Sequence, residues 1–284
     1  MRQITLAVAC AVVLTSSPAA AQQAAPTPPK PAPAAAPQPE DTGFPPVKPH
    51  AIETPAFTDT YVDTLLSSLD KMVSKQTDAT KWEKDANLHF WRLMNRLQTG
   101  VMSAPQEARV LTAFDGYEKR YPAAKTFLDT QRRMIRTQMI GKTAQEIVGK
   151  DYDGVEFKLS DYRGKVTVLY FTGQWCGPCR GEYPYERLML EVHKNDPFAI
   201  VSVNSDDKLE TAKKAKADEH LDFRSFWDGY VEKKSTQGPI ATAWNVTGWP
   251  AIYVLDAKGT IRFAQLRQED ILKAVNQLLA ETRK

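Results

Sequence analysis

The sequence predicts an α/β protein with a partly parallel sheet, preceded by a small all-helical region. Up to about Met139, apolar residues recur every three or four positions, which is the spacing of one helix face. After Gly141, short apolar runs alternate with helical patterns, as expected for a sheet covered by helices. Two cysteines in a Cys-x-x-C spacing, Cys176 and Cys179, stand just after the first long apolar run of this part. That position makes them the candidate site of chemistry.

Residues 1–21 have the pattern of a secretory signal peptide. Arg2 supplies a positive start, residues 4–14 form an apolar run, and three alanines at 19–21 supply a small-residue cleavage site. The run is shorter than a membrane-spanning helix, so we expect an exported protein, periplasmic if the cell is Gram-negative. Cleavage would remove Cys10 and leave the Cys-x-x-C pair as the cysteines of the mature chain.

Residues 22–56 are predicted to be a linker, and residues 57–139 a small all-helical domain. The linker is dominated by alanine and proline and has little apolar bulk to bury, which favours a semi-rigid extended chain. In the helical domain, Pro122 precedes a last helix over 123–139. The apolar stripes of the earlier helices are Val62, Leu65, Leu69, Met72 and Val73; Leu88, Trp91, Met94 and Leu97; and Val110, Phe114, Tyr117 and Tyr121. We interpret these stripes as core, and we find no reactive cluster on them.

Residues 140–284 are predicted to form the α/β domain. Turn residues Asp153-Gly154 between short apolar alternations predict a hairpin. The run at 166–171 is β-branched and aromatic, which is typical of a strand buried on both faces. Further strands are predicted over 198–203, 223–228, 251–256 and 260–265, and helices over 179–193, 206–220, 239–244 and 269–279.

Composition and charge narrow the class of partner. Apolar residues make up 42% of the chain and charged residues 25%, as in ordinary soluble globular proteins. The net charge is only +3 and the basic residues are scattered. This distribution argues against nucleic acid or an anionic membrane as a partner.

The Cys-x-x-C pair is predicted to lie where a buried strand meets a helix. Backbone N–H groups and the helix dipole favour a thiolate at Cys176, and a thiolate is the form that attacks a disulfide. Cys179, about one helical turn further along, could then attack the mixed disulfide and release the product. Gly177 is expected to permit a tight turn, and Pro178 has no N–H to leave unsatisfied near the helix start. Trp175 would flank the approachable side of the pair.

Other uses of a Cys-x-x-C pair are less well supported. A structural zinc site needs four ligands, yet the mature chain has no second cysteine pair, and the histidines show no paired spacing. These histidines are His50, His89, His193 and His220. A purely structural disulfide would close a loop too short to stabilise the fold much, and copper delivery with a distant histidine has no supporting spacing. We therefore expect no metal and no cofactor.

A second motif, Gly248-Trp249-Pro250, stands directly before the strand predicted at 251–256. Proline suits the first residue of a strand, and a cis proline would aim the preceding backbone toward whatever lies opposite. Taken alone, this motif is an ordinary turn. Together with Trp-Cys-Gly-Pro-Cys upstream, it is specific.

The two motifs make the chain resemble the thioredoxin superfamily, and within it the exported thiol–disulfide oxidoreductases of the TlpA/ResA type. The matching segments are SDYRGKVTVLYFTGQWCGPCRGEYP and WNVTGWPAIYVLDAKGTIRF. The resemblance covers about Gly141 to the C-terminus and implies a thioredoxin-like fold, with a central mixed sheet flanked by helices. It also implies that Cys176 is the nucleophile and that Cys179 resolves, the pair cycling through a redox-active disulfide. By the same resemblance, Pro250 is cis and lines the substrate groove.

The family often carries a glutamate three residues past the second cysteine, and here Glu182 holds that position. The resemblance implies that Glu182 shuttles protons for the cysteine pair; the alternative is an exposed helix glutamate with no such role. Thioredoxin itself has a buried aspartate six residues before the first cysteine, whereas this chain has Tyr170 there. Trp249 is bulkier than usual before the proline and is expected to narrow the groove.

The predicted function is that of an exported enzyme that reduces disulfides in protein substrates and so serves cell redox homeostasis. An apocytochrome, in cytochrome c biogenesis, is one example of such a substrate. The expected partners are a disulfide-containing protein and a thiol–disulfide electron donor, either soluble or membrane-bound. Two alternatives stay open. A peroxide-reducing redoxin would usually need threonine where Gly173 stands, and a helical partner-binding protein would carry only a vestigial redox domain. The oligomeric state is not predicted.

Overall fold

A computed structural model describes residues 54–74, 82–229 and 238–283, in which a group of helices precedes an α/β part. The predicted signal peptide, His50 and the linker up to residue 53 lie outside the described residues. The helices are α1 (Asp59–Val73), α2 (Trp82–Leu97), α3 (Ala104–Arg120), α4 (Lys125–Thr137), α5 (Gly177–Arg180), α6 (Tyr183–Val192), α7 (Leu209–Asp218), α8 (Pro239–Ala243) and α9 (Glu269–Thr282). The strands are β1 (Val148–Lys150), β2 (Glu156–Lys158), β3 (Val166–Thr172), β4 (Phe198–Asn204), β5 (Arg224–Trp227), β6 (Ala251–Leu255) and β7 (Ile261–Ala264).

The main sheet of the described part has the strand order β5-β4-β3-β6-β7. Strands β3, β4 and β5 are parallel, and β6 and β7 run antiparallel to their neighbours. Every residue of β3 is buried, as its continuous β-branched and aromatic run predicts. Strands β1 and β2 form the predicted hairpin. The expected thioredoxin-like fold, a central mixed sheet flanked by helices, is confirmed.

Both faces of the main sheet are covered by apolar side chains. On one face, Tyr170 of β3 packs with Met189 of α6 and Val275 of α9. On the other face, Phe171 packs with Trp244, which follows α8. Alternating side chains of β3 therefore reach two different cores, and the end of this strand is held firmly in place.

The helical part has an apolar core of its own. Its buried members lie between Val62 and Met139, whereas the buried members of the two sheet cores begin at Ile140. All of these residues belong to one compact unit. The predicted division into a domain at 57–139 and a domain at 140–284 stays a prediction.

Two residues of the predicted α2 stripe are exposed, although they were predicted to lie on the buried face of the helix. Leu88 and Trp91 are 49% and 46% exposed, although Met94 and Leu97 are buried as predicted. The buried face instead includes Phe90, whose ring packs 5.3 Å from that of Phe114 between centroids. Apolar residues occur around most of α2, so their spacing alone fits more than one helix face.

The helix predicted over 179–193 is two helices, α5 and α6. The break lies at Gly181 and Glu182, just before Pro184. Proline has no N–H to donate to the carbonyl one turn earlier, so a continuous helix would lose that bond. The helix predicted from Asp206 begins only at Leu209, because Asp206 binds the loop after β3 instead.

Candidate active site

The Cys-x-x-C pair lies where β3 ends and α5 begins. Cys176 caps α5, and its Sγ accepts a hydrogen bond from the backbone N–H of Cys179 at 3.1 Å. The two sulfurs form a disulfide, and Cys176 and Cys179 are 4% and 1% exposed. An N–H directed at Sγ stabilises negative charge there. The local geometry therefore favours a thiolate at Cys176 after reduction.

Trp175, Gly177 and Pro178 are the neighbours of the disulfide along the chain. The half-exposed Trp175 donates its indole N–H to the carbonyl of Ser205 at 3.2 Å, and Pro178 lies in the first turn of α5 as predicted. The role of Gly177 in permitting a tight turn stays a prediction. The φ of Gly177 is not positive, and no atom lies within 4 Å of where a Cβ would stand. The missing side chain leaves open space beside Cys176.

Gly173 has little room for the threonine that a peroxide-reducing redoxin usually carries. A Cβ at this position would lie 2.6 Å from Nε1 of Trp175. Such a contact is far shorter than van der Waals distance, so the Trp175 ring would have to leave the Ser205 carbonyl. This packing argues against the peroxide-reducing alternative.

A buried carboxylate at the end of β4 holds the loop before Cys176. Oδ1 of Asp206 accepts from the N–H of Gln174 at 2.7 Å, and Oδ2 accepts from Nδ2 of Asn204 at 2.9 Å. Because β3 and β4 are parallel, their carboxyl ends meet, with Thr172 beside Asn204. Burial raises the pKa of Asp206, and these hydrogen bonds oppose the rise. Asp206 was not predicted from the sequence, although the polar run NSDD after a buried strand was a usable signal.

The second motif lies at the same edge of the sheet. Phe171 of β3 pairs with Ala251, the first residue of β6, which places Pro250 next to the active-site loop. The Trp249–Pro250 peptide is cis, as predicted. The rings of Trp249 and Trp175 meet edge to face, with centroids 5.3 Å apart. The two tryptophans therefore form one aromatic surface beside the disulfide.

Glu182 is buried, so the alternative of an exposed helix glutamate does not apply. Its Oε2 accepts from the N–H of Gln268 at 2.8 Å. Burial raises the pKa of Glu182, while this hydrogen bond and the charge of Arg267 oppose the rise. Nη2 of Arg267 also donates to the carbonyl of Pro250 at 2.7 Å. Arg267, which the sequence analysis missed, therefore links the cis-proline loop to the buried carboxyl group.

A second buried carboxyl group, Glu186, lies one helical turn after Glu182. The N–H of Glu186 donates to the carbonyl of Glu182 at 3.0 Å. Oε2 of Glu186 is buried without a hydrogen-bond partner among the described residues. Burial and the charge of Glu182 raise the pKa of Glu186 to about 8. This group was also missed, although the four-residue spacing of two glutamates just past the cysteines was a usable signal.

The described ranges contain neither a metal-binding cluster nor a membrane-spanning helix. No three His, Cys, Asp or Glu side chains in those ranges are grouped as a metal site requires. His193, one of the histidines considered from the sequence, has its Nδ1 2.9 Å from Oδ2 of Asp196. In the same ranges, no helix combines the length and apolar character needed to cross a membrane.

Comparison with known proteins gives consistent results. The AhpC/TSA family matches residues 140–264. The thiol-disulfide oxidoreductase ResA of Geobacillus kaustophilus (strain HTA426) is 32% identical over 124 residues, which cover 43% of this chain and 67% of that protein. The thioredoxin-like protein YneN of Bacillus subtilis (strain 168) is 36% identical over 126 residues, 43% of this chain and 68% of that protein.

Among solved structures, the thioredoxin domain of a thiol-disulfide oxidoreductase from Bacteroides vulgatus is similar to this chain. It shares 26% identity, has a TM-score of 0.44 and covers 49% of this chain and 97% of that one. The sequence relatives, by contrast, match about two thirds of their own length at 30% identity or more. On that ground, and with the fold described above, this chain belongs to the thioredoxin-like AhpC/TSA family and is a thiol–disulfide oxidoreductase.

Proposed function

We propose that this enzyme is exported and reduces disulfides in protein substrates, with Cys176 as nucleophile and Cys179 as resolving cysteine. One observation carries the assignment: the N–H of Cys179 points at Sγ of Cys176. Open space at Gly177 leaves that side of Cys176 approachable. The assignment of roles agrees with the resemblance to the TlpA/ResA type.

The reaction passes two electrons from the dithiol to the substrate. The Cys176 thiolate attacks one sulfur of the substrate disulfide, and the other sulfur leaves as a thiolate that takes up a proton. The Cys179 thiolate then attacks Sγ of Cys176. This step releases the first substrate sulfur as a thiolate, which also takes up a proton, and closes the Cys176–Cys179 disulfide. A thiol donor, soluble or membrane-bound, must then return two electrons and two protons.

Glu182 is proposed to exchange protons with the cysteine pair. Its backbone N–H donates to the carbonyl of Cys179 at 3.0 Å, so Glu182 lies one helical turn after the resolving cysteine. Burial raises its pKa toward the range in which proton transfer at neutral pH is efficient. Pro250, Trp249 and Trp175 are proposed to contact the substrate backbone, because they border the open side of the disulfide.

Export and the reducing direction are inferred from the sequence. Residues 1–21 have the signal-peptide pattern, which predicts a mature chain beginning at Gln22. The Cys-Gly-Pro-Cys sequence resembles that of the reducing members of the family. Equilibration with glutathione buffers should give a reduction potential below about −200 mV, since more oxidising values are typical of disulfide-forming enzymes. A potential near that of a strong oxidant would reverse the proposed direction.

Trapping experiments test the roles of the two cysteines. With insulin as the disulfide-containing substrate, Cys179→Ser should accumulate a mixed disulfide that is visible on non-reducing electrophoresis. Cys176→Ser should form none and should not reduce insulin, because the attacking thiolate is gone. The assignment is wrong if alkylation of the reduced enzyme labels Cys179 faster than Cys176.

A further inference from the structure

A groove runs between the helical part and the cis-proline loop. Its volume is about 150 Å³. Trp91 of α2 and Gln131 of α4 line one side, and Gly248, Trp249 and Pro250 line the other. The helical part therefore supplies a wall directly beside the proline that is proposed to contact the substrate.

Amide side chains are concentrated in this groove. Its lining includes Asn87, Asn95, Gln98, Gln131, Asn245 and Gln265. Nε2 of Gln265 donates to Oε1 of Gln98 at 3.1 Å. Gln131 is only 3% exposed, and its side chain lines the wall of this groove. A carboxamide that faces a groove can donate and accept, so its place in the wall suits a ligand that supplies an acceptor and a donor.

Trp91 is exposed because its side chain lines this groove. Nε1 of Trp91 lies 3.9 Å from where a Cβ of Gly248 would stand. An indole ring offers a large apolar face together with one N–H donor, and tryptophan is enriched in binding sites for this reason. Asn245 and Gln265, which also line the groove, have φ values of 49° and 60°. Residues other than glycine that adopt such positive φ values cluster at functional sites.

We propose that this groove binds an extended segment of the substrate polypeptide that flanks the attacked cysteine. The inference rests on the proposed function and deepens it, because it assigns part of the specificity to the helical part. Carboxamides both donate and accept, so they match the free N–H and C=O groups of an extended main chain. The groove is smaller than the roughly 300–1,000 Å³ of small-molecule and cofactor sites, and it continues to Pro250. Both features favour a chain that passes through it.

The test compares two disulfides that react with the reduced, full-length enzyme. One is 2-hydroxyethyl disulfide. The other is an unstructured peptide of about ten residues, roughly 30 Å when extended, whose single cysteine is linked to 2-mercaptoethanol. Single-turnover rates are followed by tryptophan fluorescence. The ratio of the peptide rate to the small-disulfide rate is the readout.

Trp91→Ala and Gln131→Met should each lower that ratio by about tenfold, the scale of one lost contact in a binding site. Leu88→Ala is the matched control, since Leu88 is an equally exposed apolar residue of α2 outside the groove lining. It should keep the wild-type ratio. Gln131→Met preserves size and removes only the groove-facing amide, so its thermal unfolding should stay close to that of the wild type.

The outcomes separate the two proposals. If Trp91→Ala and Gln131→Met keep the wild-type ratio, or if Leu88→Ala lowers it equally, the groove does not bind the peptide and the inference is overturned. If the wild-type enzyme reacts with neither disulfide, the proposed function itself fails. A lowered ratio in both groove variants, with wild-type behaviour of Leu88→Ala, supports the inference.

Discussion

Replacing Glu186 with glutamine should change how stability depends on pH. Burial and the charge of Glu182 raise the pKa of Glu186 from its ordinary value of 4.5 to about 8. Between these two values, the folded protein keeps a proton that the unfolded chain has lost. The free energy of unfolding therefore falls as pH rises through this window. Below the lower value both states are protonated, and above the higher value the loss is complete.

The size of the effect follows from the two pKa values. Each pKa unit corresponds to about 1.4 kcal/mol, so the whole window amounts to about 5 kcal/mol. Between about pH 5 and about pH 8, the wild type should lose roughly 3 to 4 kcal/mol through this group. Glutamine has nearly the same shape and does not titrate, so Glu186→Gln should lack this loss. Glu182, whose pKa is also raised by burial, adds a loss of the same sign in both proteins.

Urea unfolding of the oxidised protein at the two pH values measures this difference. The control is Glu191→Gln, because Glu191 lies on the same helix with an exposed side chain. This control should keep the wild-type dependence on pH. If Glu186→Gln and the wild type lose the same free energy between the two pH values, Glu186 is not the buried titrating group described here.

Three other variants test neighbouring parts of the site. Glu182→Gln should shift the pH dependence of Cys176 alkylation without unfolding the protein, because a carboxyl group coupled to the pair is removed; an unchanged profile would leave Glu182 only a structural role. Asp206→Ala should slow disulfide exchange by about tenfold in stopped-flow measurements, since the N–H of Gln174 loses its acceptor; wild-type rates would show that the loop holds itself. A chain starting at Ile140 should stay soluble and reduce a small disulfide, because the buried members of both sheet cores lie in 140–284; aggregation or loss of redox activity would make the helices part of the catalytic fold.

The parts of the fold and site that the sequence predicted are those encoded within short segments. The apolar run of β3, the helix-capping position of Cys176 and the proline just before β6 each depend on a few adjacent residues, whereas the cis form of that proline was implied by the family resemblance. Their local chemistry leaves few alternatives, since a proline fits only the start of a central strand. The buried face of α2, by contrast, could not be predicted from its sequence. With apolar residues around most of the helix, packing against α3 and α4 selected Phe90 over Trp91 for the core.

The polar residues of the site depend on strand register, which no short motif reveals. Asp206 reaches the active-site loop because Thr172 pairs with Asn204 in the parallel ladder. A shift of one residue would turn the side chains of β4 to the opposite face of the sheet. Arg267 reaches Pro250 by a similar route, through the pairing of β6 with β7. The reactive sulfurs are therefore specified locally, whereas the groups that hold the loop and adjust its protonation are specified by long-range pairing. Variants of Asp206 and Arg267 should accordingly alter the rate of disulfide exchange and its dependence on pH, while the Cys-x-x-C sequence and its chemistry stay unchanged.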